Sequence, residues 1–150
     1  MAEAVTLSAA DRLAILDVVT RADEAASRRD ADAYVALFDP DAVLDGVQGR
    51  HAGRAALRAS VGPIWAAEGP ATLHLALNPV VEPGPGDDEA VVQSVLLIVD
   101  PADPPAIRAT ALITQELRRS DGAWRITRRT VAPTPGADRP GRRSGSDEGR

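Results

Sequence analysis

A chain of 150 residues, 44% hydrophobic and 26% charged, has the size and balance of one globular domain, able to bury roughly 70% of its unfolded surface without a covalent staple. It has no cysteine, which excludes disulfides, thiolate nucleophiles and thiolate metal sites, and fits a cytoplasmic setting. Its net charge of -5 argues against nucleic acid as a partner, because phosphate binding wants a basic surface.

The N-terminal run MAEAVTLSAADR carries acids early and lacks an apolar core behind basic residues, so no signal peptide is expected. No run of about 18 apolar residues exists, so no membrane partner is expected either. Ser8 before Ala9, Ala10 and Asp11 reads as an N-cap with an acid in the first turn. Leu13, Ile15, Leu16, Val19 and Ala22 follow at helical spacing, which predicts a first helix to about Arg29. A short second helix is predicted from Asp30, with Tyr34, Leu37 and Phe38 as its apolar face and Pro40 as its end. Ala42 to Val47 is a strand candidate, Gly49 to Gly53 a turn. Arg54 to Glu68 returns to helical spacing, with Leu57, Val61, Ile64 and Trp65 on one side and Pro63 expected to bend or break it.

From Ala71 the pattern becomes extended. ATLHLALNPVVE, EAVVQSVLLIVD, AIRATALITQELRR and AWRITRRTV are strand-length runs separated by PGPGDD, PADPP and SDG. Short links predict an antiparallel meander. Helices first and strands after predict an α+β fold. AVVQSVLLIV is apolar at nearly every position, whereas a strand with one wet face should alternate. Leu73, Leu75 and Leu77 also lie opposite His74, Ala76 and Asn78 by period two. Both sheet faces are therefore expected to be covered, one by the helices and the other by a second copy, as a homodimer. Residues 1–132 are read as the domain. Residues 133–150, rich in Pro, Gly, Ser and charge, are read as a disordered tail.

Four segments in this order carry a resemblance. They are SRRDADAYVALFDPDAV (Ser27 to Val43), GRHAGRAAL (Gly49 to Leu57), TLHLALNPVV (Thr72 to Val81) and LRRSDGAWRITRRTV (Leu117 to Val131). From Ala10 to Val131 the chain resembles the SnoaL-like branch of the nuclear transport factor 2-like superfamily. The resemblance implies a cone-shaped barrel, in which a curved antiparallel sheet wraps around N-terminal helices and encloses a pocket. It implies no single activity, since this fold hosts dehydratases, isomerases, cyclases and non-enzymatic binders.

His74 is the leading catalytic candidate. A neutral imidazole can take a proton near neutral pH, and by motif it resembles the base of the hexachlorocyclohexane dehydrochlorinase. The alternative is a histidine bonded within a packed sheet. The Asp that orients that base is replaced here by Ser27, which can hold a ring nitrogen but cannot stabilise an imidazolium as a carboxylate does. Asp45 is the second candidate, near the position of the base in the steroid isomerase branch; its alternative is an exposed acid beside Gly46. The Tyr and protonated Asp of that branch's oxyanion hole match Ala22 and Gln115, so that constellation is not complete.

Gln115 lies between Ile113 and Leu117 on one strand face, which predicts a buried, hydrogen-bonded amide. It could bind a ligand carbonyl or tie down Asn78 or His74. Asn78 precedes Pro79 and could equally begin a turn. Tyr34 and Trp65 are core residues by spacing and pocket residues by resemblance. His51, in a Gly-flanked turn, is expected to be exposed, and no metal or cofactor is expected. The candidate catalytic groups are thus His74 and Asp45, and the candidate ligand contacts Ser27, Tyr34, Trp65, Asn78, Ile113 and Gln115. The expected function is a cofactor-free lyase, isomerase or cyclase acting on a small hydrophobic molecule, with a non-catalytic binding protein as the alternative.

Overall fold

Ser8 caps the first helix, α1 (Ala9–Ser27), its hydroxyl accepting the Asp11 amide at 3.0 Å. The helix buries Ile15, Val19, Ala22 and Ala26. It stops two residues before the expected end, because Arg29 turns left-handed with φ of 60°. The Arg29 and Asp30 amides then close onto the carbonyls of Ala26 and Ala25 at 3.1 and 2.9 Å, a left-handed helix ending. Asp30 caps α2 (Ala31–Ala36). These elements belong to a computed structural model that describes residues 6–135.

Two sequence expectations are corrected around Pro40. Phe38 does not continue α2; it begins strand β1 (Phe38–Gly46), pairs with Ile126, and leaves a register irregularity before Val43. Pro40 sits inside that irregular stretch, where a strand tolerates a residue without an amide hydrogen. Gly49 to Ala52 is not only a turn. It forms β2 (Gly49–Ala52), antiparallel to β1, with Gly46 opposite Gly49. The third helix, α3 (Arg54–Glu68), runs through Pro63 without ending. Its buried face of Leu57, Val61 and Trp65 holds the helix in place despite the missing backbone hydrogen bond.

The meander follows as β3 (Leu73–Pro83), β4 (Glu89–Asp100), β5 (Ala106–Ser120) and β6 (Ala123–Pro133). The sheet order is β2-β1-β6-β5-β4-β3. Every pairing is antiparallel except β1 with β6. The helices cover the inner face of this sheet, as in the predicted α+β cone. The main core gathers Phe38, Ile15, Leu57, Leu117 and Ile126, all fully buried. A smaller cluster of Leu96, Ile98 and Ile113 lies apart from it. The outer face differs: Leu73, Leu75, Leu77 and Leu112 are exposed in the single chain. No helix among the described residues is long and apolar enough to cross a membrane. The tail expected from residue 133 begins inside β6, and its remainder beyond residue 135 lies outside the described residues.

Candidate functional site

A cavity of about 610 Å³ occupies the inner face of the sheet. Tyr34, Val61 and Trp65 line it from the helices, Leu44 from β1, and Leu96 and Ile98 from β4. The Trp65 ring meets Tyr34 edge-on at 5.4 Å, a preferred aromatic geometry. Exposed Val47, Gln48 and Gly49, in and beside the β1–β2 turn, mark where it meets solvent. Ionisable side chains on the lining are His74, His51, Glu68, Arg129 and the Tyr34 phenol, with Arg108 at the exposed start of β5.

His74 and Glu68 form the central contact. The Nε2 of His74 lies 2.6 Å from Oε2 of Glu68, and the two side chains are 6% and 15% exposed. Glu68 is the last residue of α3 and His74 the second of β3, so a short loop places acid and imidazole side by side. Ser27 also acts on His74, but on its backbone. Its hydroxyl accepts the His74 amide at 2.8 Å and lies 3.0 Å from the Asp23 carbonyl. β3 is the edge of the sheet, so its outward amides need partners from elsewhere, and α1 supplies one there.

A second pair lies deeper. Arg129 donates from Nη2 to Asp23 at 2.7 Å and from Nη1 to the Gln115 side-chain oxygen at 3.2 Å. All three residues are buried. Burial works against the guanidinium charge, but the Asp23 carboxylate and the neighbouring Tyr34 and Glu68 oxygens more than offset it, so Arg129 holds its proton more firmly than an ordinary arginine. Tyr34 is shifted up, first by burial, with Arg129 opposing and Asp23 and Glu68 adding to it. Its phenol therefore stays protonated and able to donate.

The remaining sequence candidates fall elsewhere. Asp45 does not line the cavity. Its neighbours Leu44 and Gly46 do, and strand alternation turns Asp45 to the other face, where it is 43% exposed and 3.7 Å from Arg128. Asn78 is exposed, with φ of 52°, at the β3 irregularity between Leu77 and Val80. Ile113 packs in the small apolar cluster beside the cavity. Gln115 is buried behind it; the amide ties down Arg129, not Asn78 or His74, and its Nε2 has no partner among the described residues. His51, expected to be exposed, is partly buried and lines the cavity. Among the described residues no three His, Cys, Asp or Glu side chains are placed to hold a metal ion.

Sequence reasoning missed Glu68, Arg129 and Asp23. Asp23 left a signal, an acid one residue from Ala22 on the apolar stripe of α1. Glu68 left a weaker one, six residues before His74 at a helix end marked by Gly69. Arg129 left none. Trp124 and Ile126 face inward, so alternation assigns Arg128 to the interior. The irregularity that separates Leu117–Ile126 from Glu116–Arg128 shifts the parity of β6 and turns Arg129 inward instead.

The model of the SnoaL-like domain family matches residues 8–130. Among solved structures, a protein of unknown function with a cystatin-like fold from Nostoc punctiforme PCC 73102 is 25% identical, with a TM-score of 0.79, over 87% of this chain and 96% of that one. An NTF2-like protein with a cystatin-like fold from Novosphingobium aromaticivorans is 22% identical, with a TM-score of 0.74, over 86% and 85%. A putative scytalone dehydratase from Novosphingobium aromaticivorans DSM 12444 is 20% identical, with a TM-score of 0.70, over 83% and 85%. A comparison with curated protein sequences returns no match.

Proposed function

Since the chain belongs to the SnoaL-like domain family, we propose that it is a cofactor-independent lyase, isomerase or cyclase for a small hydrophobic molecule, with His74 as the proton shuttle. The observation that carries this reading is the 2.6 Å contact between His74 and Glu68 at the wall of a mostly apolar cavity. An imidazole that takes a proton from carbon becomes an imidazolium. Glu68 supplies the carboxylate that stabilises it, the part that Ser27 cannot play. A substrate carbonyl would accept the electron pair left on carbon. Tyr34, a neutral phenol, and the cation of Arg129 are the donors on the lining that could meet the developing oxyanion. Return of the proton elsewhere completes an isomerisation, and departure of a leaving group completes an elimination. Asp45 has no part in this scheme. The putative scytalone dehydratase among the structural neighbours shares the fold, and a dehydratase needs the same proton transfer.

The experiment is proton exchange. Hydrophobic carbonyl compounds that bind are incubated in deuterated water, and label at carbon is read by mass spectrometry or NMR. Wild type is expected to catalyse exchange or turnover, and His74→Gln to lose about 100-fold or more. Binding without exchange by wild type would favour the second reading, a binding protein for a small hydrophobic ligand, which the cavity volume supports equally. We also propose that the exposed leucines of the outer sheet face pack against a second copy, in a cytoplasmic homodimer.

A further inference from the structure

Arg29 occupies a place where arginine is not favoured. It follows the C-cap of α1 with φ of 60°, a left-handed conformation that glycine adopts without strain. An observed outlier of this kind asks for a reason in the side chain. Nη1 of Arg29 donates to the Ala26 carbonyl at 2.9 Å. Nη2 donates to the Gly69 carbonyl at 2.9 Å and to Oγ1 of Thr72 at 2.6 Å. Nη1 also lies 3.9 Å from Oε2 of Glu68. One guanidinium therefore joins the end of α1 to the loop between α3 and β3. The two ends of that loop carry Glu68 and His74.

The direction of the hydrogen bonds follows from chemistry. A guanidinium only donates. Thr72 Oγ1 must accept from Arg29 and turn its own hydrogen onward, and Oε2 of Glu68 is the acceptor within reach, at 3.4 Å. The same oxygen meets His74 Nε2 at 2.6 Å. An oxygen faced by a hydroxyl hydrogen and a guanidinium acts as an acceptor. The His74 contact is then a donation, and the ring hydrogen sits on Nε2. A neutral imidazole has one ring hydrogen, so Nδ1 keeps its lone pair. Nδ1 makes no hydrogen bond to the described residues and is not one of the buried unpartnered side-chain atoms. It is the ring nitrogen left without a partner among the described residues, on a side chain that lines the cavity.

We propose that Arg29 and Thr72 are positioning residues that hold Glu68 as an acceptor and lock His74 in the Nε2–H tautomer, so that Nδ1 is the atom that takes the proton from substrate. The role of Nδ1 rests on the proton-shuttle reading above; the tautomer is a property of the ligand-free protein. In the step, the C–H bond breaks and its proton bonds to Nδ1. The electron pair moves toward the substrate carbonyl or expels the leaving group. Nε2 keeps its hydrogen on Glu68 throughout.

The test is imidazole ¹⁵N NMR of the full chain, at a pH high enough to neutralise the ring, for wild type, Arg29→Gly and Thr72→Val. Arg29→Gly removes the guanidinium while relieving the backbone, and Thr72→Val keeps the shape of the side chain. Wild-type His74 is expected as the Nε2–H tautomer. In either variant the Nδ1–H form should rise to a measurable share. The proposal is overturned by a wild-type ring that is Nδ1–H, by one that stays doubly protonated across the titration, or by variants with an unchanged tautomer. If the tautomer is as expected but His74→Gln retains turnover, the proton-shuttle reading fails and the positioning role of Arg29 and Thr72 stands.

Discussion

The interior holds two acid–base pairs of opposite character. Asp23 and Arg129 are locked together: the carboxylate takes one guanidinium nitrogen, Gln115 takes another, and both charged side chains are almost sealed from solvent. Glu68 and His74 sit at the cavity wall, with a ring nitrogen to spare. The Arg129 guanidinium of the first pair keeps its charge near neutral pH. The second joins a carboxylate to the one side chain that ordinarily titrates there. Two pairs built from the same ingredients thus differ in the property catalysis needs, an open titratable atom. The Asp23–Arg129 pair holds β6 against α1 while Arg129 still reaches the lining as a fixed cation, and the His74–Glu68 pair brings to the same lining a base with a free ring nitrogen.

Removing the acid from each pair should separate these roles. Asp23→Leu leaves the Arg129 charge buried and uncompensated, and is expected to cost about 3–5 kcal/mol in denaturant unfolding. Glu68→Gln keeps a hydrogen-bonding partner beside His74, and should cost at most about 1 kcal/mol while lowering any proton exchange. Equal losses of stability would erase the distinction.

The half-open Asp39–Arg118 pair offers a smaller comparison. Burial raises the Asp39 pKa, but the Asp41 amide and the Arg118 and Arg54 guanidinium groups outweigh it and leave the carboxyl below its ordinary value of 3.8. A depressed folded-state pKa gives stability that is present above the unfolded value and is lost as pH falls through the folded one. Asp39→Asn should therefore be less stable than wild type at neutral pH, and the gap should close below about pH 4. Arg118 is half exposed, so the gap is expected to stay under about 1 kcal/mol. A gap that persists into acid would show that packing, not charge, is what Asn disturbs.

The smallest effect on folding is expected at the outer sheet face. Leu75 is 41% exposed in the single chain. Leu75→Glu should leave monomer stability within about 0.5 kcal/mol and convert a dimer to a monomer in light scattering. A wild type that is monomeric at all concentrations ends the dimer proposal.

Much of the fold was legible because its signals are local. Ser8 and Asp30 cap helices, α3 follows its apolar spacing from Arg54 to Glu68, and four extended runs bounded by Pro, Gly and Asp became β3 to β6. Errors gathered at Phe38 to Ala52, where pairing with distant Ile126 and Arg128 overrode the local pattern around Pro40. For the site, sequence and resemblance pointed to His74, Tyr34 and Trp65, the three candidates that line the cavity. Glu68 becomes the partner of His74 only when the loop closes, with Arg29 holding it from α1.

The sequence by itself determined α1, α3 and the four strands of the meander, because hydrophobic period and capping act over a few residues, while the resemblance pointed His74 toward the pocket. The tertiary structure alone decided which carboxylate meets that imidazole and which arginine enters the core. Those outcomes depend on a loop closure and on the parity shift at the β6 irregularity, and one residue of register exchanges the inner face of a strand for the outer.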